Sequence, residues 1–288
     1  HTVVGFDPVP AALDHARDSG VIIAAEAVGA VTDVEIVITM FPSGKHVIDA
    51  YREGLLAAAT PGTLFIDSST IDVDDARTAR SLAVTAGHRG MDAPVSGGVG
   101  GATAGTLTFM VGADEADFAV AEPILSVMGG RIVHCGDSGA GQAAKICNNL
   151  MLFINLAGTA EGAVLADRLG LDKQVFWDIA SVSSGDSWAL RTWYPIAGVV
   201  PSSAANSDFA ATFTTELANK DIGLAIAAAR ATGTPLEIGE HVQQLFQRVL
   251  DSEQGGKDCS IIVKLVDGTL APDQKPEQVP APAKAQVN

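Results

Sequence analysis

The feature that most constrains this chain is an alternation that runs through its first 136 residues and then stops. Short β-branched runs take turns with stretches whose apolar positions recur at helical spacing. "TVVGFD" at 2–7 leads into "PVPAALDHARDSG", whose prolines suit a helix start and whose Gly20 suits its stop. "VEIVITMFP" precedes a helical pattern over 43–58, and "TLFIDSST" precedes another over 72–86. Further strands are expected near 88–92, 106–112 and 131–135, with a helix at 114–128 between the last two. Strands that are apolar throughout need cover on both faces, and interleaved helices supply it. The prediction is an α/β domain built on a mainly parallel, doubly wound, Rossmann-like sheet.

After Gly136 no strand pattern returns. Residues 141–168 read as one long helix, and 172–183, 214–231, 236–251 and 258–267 read as further helices, with a Ser/Pro/Gly-rich connection around 183–208. At 288 residues the chain has reached the size at which one core gives way to two. The expected division is therefore a dinucleotide-binding domain at 1–138, an all-helical domain at 139–270 that opens with a long interdomain helix, and a tail at 271–288. That tail, "APDQKPEQVPAPAKAQVN", has no apolar face to bury and is expected to be disordered.

Charge narrows the partners. A formal net charge of -16 repels nucleic acid and anionic membrane, which leaves a small molecule as the natural ligand. The longest uncharged helical stretch, between Lys145 and Glu161, is shorter than the ~20 apolar residues a bilayer requires and contains Asn148, Asn149 and Asn155, so it reads as a buried helix. Cys135, Cys147 and Cys259 form no CxxC pair and are expected as buried thiols of a reducing compartment; scattered histidines without HExxH give a metal mechanism no support. No secretory signal opens the sequence, which makes the cytoplasm the default expectation.

Two stretches carry candidate chemistry. "MDAPVSGGVGG" at 91–101 places Ser96, Gly97 and Gly98 after an apolar run, where unencumbered backbone N–H groups either converge on an anion or simply form a turn. In "AAKICNNLM", Lys145 precedes Asn149 by one helical turn, among Ile146, Leu150, Leu152 and Phe153. Such a lysine is either a snorkelling edge residue or a desolvated amine suited to acid–base work. "GAGQAA" at 139–144 matches a dinucleotide fingerprint, yet the following residues stay helical through Asp167, so it reads as the start of the long helix. The better ribose acceptor is Asp7, at the end of the first strand. A dinucleotide fold places a strand, a glycine loop and a helix before such an aspartate, so the sequence is expected to begin inside that unit, short of roughly 20–25 residues, with the central strand position vacant.

Taken together, "MDAPVSGGVGGATAGTLTFMVGA", "GAGQAAKICNNLM" and "ANKDIGLAIAAARATGTPLEI" resemble the β-hydroxyacid dehydrogenase family, and the resemblance runs over residues 1–268. It implies that Ser96, Gly97 and Gly98 hold the substrate carboxylate, that Lys145 is the catalytic lysine and that Asn149 binds substrate. It further implies that Phe41 and Pro42 lie against the adenosine and pyrophosphate of NAD, that Thr70 contacts the nicotinamide ribose and that Lys220 reaches the cofactor. His46 stands where the family often carries Asn, and the family's glycine loop is missing. Asp7 is followed by Pro8 and Val9 and not by an Arg for a 2′-phosphate, which favours NAD over NADP.

The implied reaction is NAD-dependent oxidation of 3-hydroxyisobutyrate to methylmalonate semialdehyde, with Lys145 taking the hydroxyl proton. Reduction of tartronate or succinate semialdehyde, decarboxylating oxidation of a sugar acid, and a catalytically silent scaffold stand as alternatives. A homodimer or homotetramer is implied. Trp188, Trp193, Tyr194 and Phe209 are expected either to wall the substrate pocket or to fill core.

Overall fold

A computed structural model describes residues 1–270, so the tail expected at 271–288 lies outside the described residues. The described residues form two compact units, one from His1–Asn155 with Asn219–His241, the other from Leu156–Ala218 with residues 242–270. The first crossing from one unit to the other falls inside the Ala140–Arg168 helix, between Asn155 and Leu156.

The first unit carries eight strands: β1 (Val4–Gly5), β2 (Ile22–Ile23), β3 (Ile36–Thr39), β4 (Leu64–Asp67), β5 (Arg89–Asp92), β6 (Val95–Ser96), β7 (Leu107–Gly112) and β8 (Gly129–Gly136). Parallel pairing joins β3, β4 and β5, with Thr39, Asp67 and Asp92 aligned at their carboxyl ends. β7 then runs antiparallel to β5 and β6 while pairing in parallel with β8, so the sheet is mixed where a mainly parallel one was expected. β2 and β6 span two residues each, too few for any periodicity to show. Side chains alternate along β4: Phe65 joins a core with Val37, Val47, Tyr51 and Leu55, whereas Leu64 and Ile66 join one with Met91, Phe109, Val111 and Leu125. Both faces are therefore covered, as a doubly wound sheet requires.

The strands fall into two sheets. β1 pairs with β2 alone, and β3 has β4 as its only strand neighbour among the described residues. Strands flanking a central position would be buried, but here Val3, Phe6, Ile38 and Met40 are exposed. The break lies between the strand containing Val4 and the strand starting at Ile36.

Local chemistry sets the helix ends. Asp72 caps the Val73–Thr85 helix by accepting from Asp74 N, and Asp114 caps Glu115–Met128 by accepting from Asp117 N. The helix expected over 43–58 is interrupted by a π-turn at Tyr51–Leu55, where Gly54 takes φ 148°, a value that a side chain would strain. In the second unit Asp172 caps Lys173–Ala180 and Ser187 caps Trp188–Thr192, the latter a short helix inside the expected connection. The helix expected at 258–267 splits into a 3₁₀ turn, Cys259–Ile262, and Val263–Asp267.

The Ala140–Arg168 helix, 29 residues long and within one residue of the expected 141–168, is by length and composition apolar enough to cross a membrane. Its buried Gln142, Lys145 and Asn149 mark its first half as core of the first unit, because polar groups facing lipid would lack the partners found here. Cys259 is buried and Cys135 half-buried, but Cys147 is exposed, against expectation. Two positions beyond Lys145, it lies across the helix from the buried face.

Candidate active site

The carboxyl ends of β3, β4 and β5 gather the polar groups of the first unit. Thr39 Oγ1 and Ser69 Oγ both donate to Asp67 Oδ1, at 2.8 and 2.7 Å, and Ser69 Oγ accepts from Phe41 N at 2.7 Å. Asp67 Oδ2 and Ser68 Oγ are buried without a hydrogen-bond partner. Burial pushes the Asp67 carboxyl up to about 6, against the two hydroxyl donors and with Asp92 adding to the rise.

Asp92, at the end of β5, accepts from Gly139 N at 2.6 Å and from Gln142 N at 2.9 Å. A helix N-terminus attracts an anion, and here the anion is the protein's own carboxylate. Gly139 needs its φ of 89°, and a Cβ on Gly141 would sit 2.2 Å from the Met110 carbonyl. These glycines serve close packing of the helix start on β7, and "GAGQAA" has no room for a phosphate.

One turn further along, Lys145 is 7% exposed. Burial lowers its pKa, Asp221 opposes that and Lys220 reinforces it. Asn149, on the same face, donates through Nδ2 to Asp221 Oδ2 at 2.7 Å and accepts from Asn148 Nδ2 at 3.1 Å. Asp221 Oδ1 lies 3.2 Å from Lys220 Nζ, and that ammonium donates to Thr70 O at 2.8 Å and to Pro42 O at 3.4 Å. One network of hydrogen bonds and an ion pair thus joins Asn149, Asp221, Lys220, Thr70 and the Phe41–Pro42 loop, and Lys145 lies within the electrostatic reach of its Asp221 and Lys220.

The other candidates stand apart from that network. Ser96 pairs with Thr108 in β6, and Gly97 and Gly98 take φ of 128° and 61°, which explains two glycines in succession. Among the described residues no hydrogen bond links this turn to Lys145 or Asn149; its tie to them is Asp92, four residues earlier on the same passage of chain. Asp7 follows β1 and accepts from Val9 N through Oδ1 at 2.8 Å. His46 is engaged with Ser43 Oγ in its own turn. In the second unit, Tyr194 packs in the core with Ala163, Leu190 and Val200, and Phe209 is buried under Lys264 Nζ; Trp188, half-exposed, stands edge-on to Trp193.

Two family models match this sequence in succession: the NAD-binding domain of 6-phosphogluconate dehydrogenase over residues 1–136, and the NAD-binding domain of NADP-dependent 3-hydroxyisobutyrate dehydrogenase over residues 139–266. The probable 3-hydroxyisobutyrate dehydrogenase of Mycobacterium tuberculosis is 48% identical over 248 residues, covering 86% of this chain and 84% of that protein. The chain belongs to the β-hydroxyacid dehydrogenase family. The 3-hydroxyisobutyrate dehydrogenase of Pseudomonas aeruginosa is 43% identical over 272 residues (93% and 91% of the two chains), and the NAD-dependent L-serine dehydrogenase of the same organism is 40% identical over 266 residues (92% and 89%). Among solved structures, Mycobacterium tuberculosis 3-hydroxyisobutyrate dehydrogenase with L-serine superimposes with a TM-score of 0.85 at 46% identity, covering 92% of this chain and 91% of that one. The protein is accordingly an oxidoreductase with a nicotinamide dinucleotide cofactor.

The residues present fit that cofactor. In a doubly wound fold the dinucleotide lies beyond the carboxyl ends of the strands, where Asp7 follows β1, the Phe41–Pro42 loop follows β3 and Thr70 follows β4. Pro42 is exposed there, and the orphaned Ser68 hydroxyl shows that this edge holds polar capacity the protein does not use itself. Five residues central to the network carried no role in the sequence reading: Asp67, Ser69, Asp92, Gln142 and Asp221. Each lies within a quoted stretch, and the usable signal was a polar residue at a position whose strand end or helix face is buried.

Proposed function

We propose that this protein oxidises the primary alcohol of a short β-hydroxy acid, with 3-hydroxyisobutyrate going to methylmalonate semialdehyde. The observation that carries the reading is Lys145: a buried amine, its pKa lowered by desolvation, on the helix face that also presents Asn149. A lysine can take a proton only when neutral, and burial supplies that form closer to neutral pH. Lys145 Nζ accepts the hydroxyl proton as the C–O double bond forms, and returns it in reduction. Bound nicotinamide supplies the acceptor for the hydride that leaves C3. The backbone amides at Ser96, Gly97 and Gly98 hold the substrate carboxylate, and Asn149 orients the hydroxyl. Asp7, Phe41 and Pro42 hold the adenosine half of the cofactor, and Thr70 and Lys220 its nicotinamide half. Asp7 Oδ2 is left to accept from ribose hydroxyls and disfavours a 2′-phosphate, so NAD is the preferred form.

L-serine is the second reading, since it shares the acid and the primary alcohol and since a 40% identical relative is named for it. Steady-state turnover of the two acids with NAD ranks them. Lys145→Ala tests the chemistry: it should lower kcat by ~10²–10⁴-fold while NADH affinity, measured by calorimetry, changes little. Near-normal turnover in that variant would refute the assignment.

A further inference from the structure

We infer that Gln142 is a positioning residue for hydride transfer: its amide holds the Ser69–Ile71 turn, and Thr70 with it, at a fixed height on the helix that carries Lys145. The inference rests on the reading of Lys145 and Thr70 given above. Gln142 is fully buried. Its Nε2 donates to Ser69 O at 2.7 Å and its Oε1 accepts from Ile71 N at 3.1 Å, so one side chain brackets Thr70 from both sides. That pairing needs a donor and an acceptor on one planar group, which among side chains of this length only glutamine offers. The backbone N of the same residue is fixed by Asp92 at 2.9 Å, so the bracket cannot slide along the helix.

Lys145 follows three residues later, a rise of ~4.5 Å on nearly the same face. The Thr70 carbonyl is held independently by Lys220 at 2.8 Å. The turn is thereby clamped between two helices, one of which supplies the proton-transfer group. Reactions between two held partners lose ~10²-fold for a displacement of ~1 Å, so a residue that touches neither partner can govern the rate.

The test replaces Gln142 with Met, which keeps the length and loses both hydrogen bonds, and with Asn, which keeps the amide but is a methylene too short; the milder Asn variant serves if Met fails to fold. Two readouts are needed. In the protein without cofactor, amide exchange at Ile71 should accelerate ~10-fold or more, whereas exchange in β4 stays near wild type. With NAD and the acid that the wild type turns over, kcat should fall ~10–100-fold with KM for the acid within ~3-fold, and the deuterium isotope effect from C3-labelled acid should grow. A variant with a lower Tm but wild-type kcat and unchanged Ile71 exchange overturns the inference. Failure of the wild type to oxidise any hydroxy acid would instead overturn the functional reading, so the two failures are distinguishable.

Discussion

Asp67→Asn is expected to stabilise the protein in alkali and to leave it nearly unchanged in acid. Asp67 is 3% exposed, with one carboxylate oxygen accepting from two hydroxyls and the other buried without a partner. Its pKa rises from 3.8 in the unfolded chain to about 6 in the folded one, so the folded state binds the proton more tightly. Stability therefore falls as pH rises through the window between those two values, and the full penalty is present above it. A tenfold difference in proton affinity is worth ~1.36 kcal/mol, which makes the penalty about 3 kcal/mol. Asparagine mimics the protonated acid: its oxygen accepts from Thr39 and Ser69, and its amide replaces a hydroxyl that also lacked a partner. Urea melts at pH 8 should show the variant more stable by up to ~3 kcal/mol, with roughly half the difference left at pH 5 and little at pH 4. Equal differences at pH 8 and pH 4, or a wild type more stable than the variant at pH 8, would show that Asp67 does not carry this buried charge.

Three further outcomes bear on the site and its support. In the oxidation direction kcat/KM should rise with pH on a limb below the ordinary lysine value, because burial favours the neutral amine of Lys145; Lys145→Arg, which stays charged, should abolish oxidation, and turnover in that variant would argue against proton transfer at this position. Asp7→Ala should raise the NADP-to-NAD ratio of kcat/KM by roughly 3–10-fold, the worth of one solvent-screened charge contact, and an unchanged ratio would remove Asp7 from cofactor choice. Asp92→Ala removes two charge-assisted hydrogen bonds from the start of the long helix and should cost about 3–5 kcal/mol in urea melts, whereas a loss below ~1 kcal/mol would mean that the helix start does not depend on it.

The alternation of strands and helices was legible because both periods extend over several residues: "TLFIDSST" reads as a strand at sight, and its Phe65 and Leu64 do face opposite cores. The antiparallel turn of β7 was not, since direction depends on a crossover and leaves no mark on the strand's own pattern. β2 and β6, at two residues each, exist only because neighbours pair with them. The break between β1 and β3 followed from placing Asp7 at a strand end, a step from chemistry to topology that periodicity alone does not supply.

The candidate site divides along the same line. Lys145 and Asn149 were visible because a charge and an amide stand one turn apart on a helix whose nearby positions are largely apolar. Asp92 was not, and the reason is instructive. A glycine-rich helix start advertises an anion site whatever anion fills it, and "GAGQAA" looks the same whether the anion is a pyrophosphate or a carboxylate 47 residues earlier in the chain. What decides between them is the steric demand at Gly141, where the backbone of β7 leaves no space for a methyl group, let alone a ligand. Sequence states the electrostatic demand; only the fold states what meets it. The same carboxylate that closes this false cofactor loop also fixes Gln142 and so anchors the helix on which Lys145 stands, which is why a structural cap and a buried amine lie within one turn of each other.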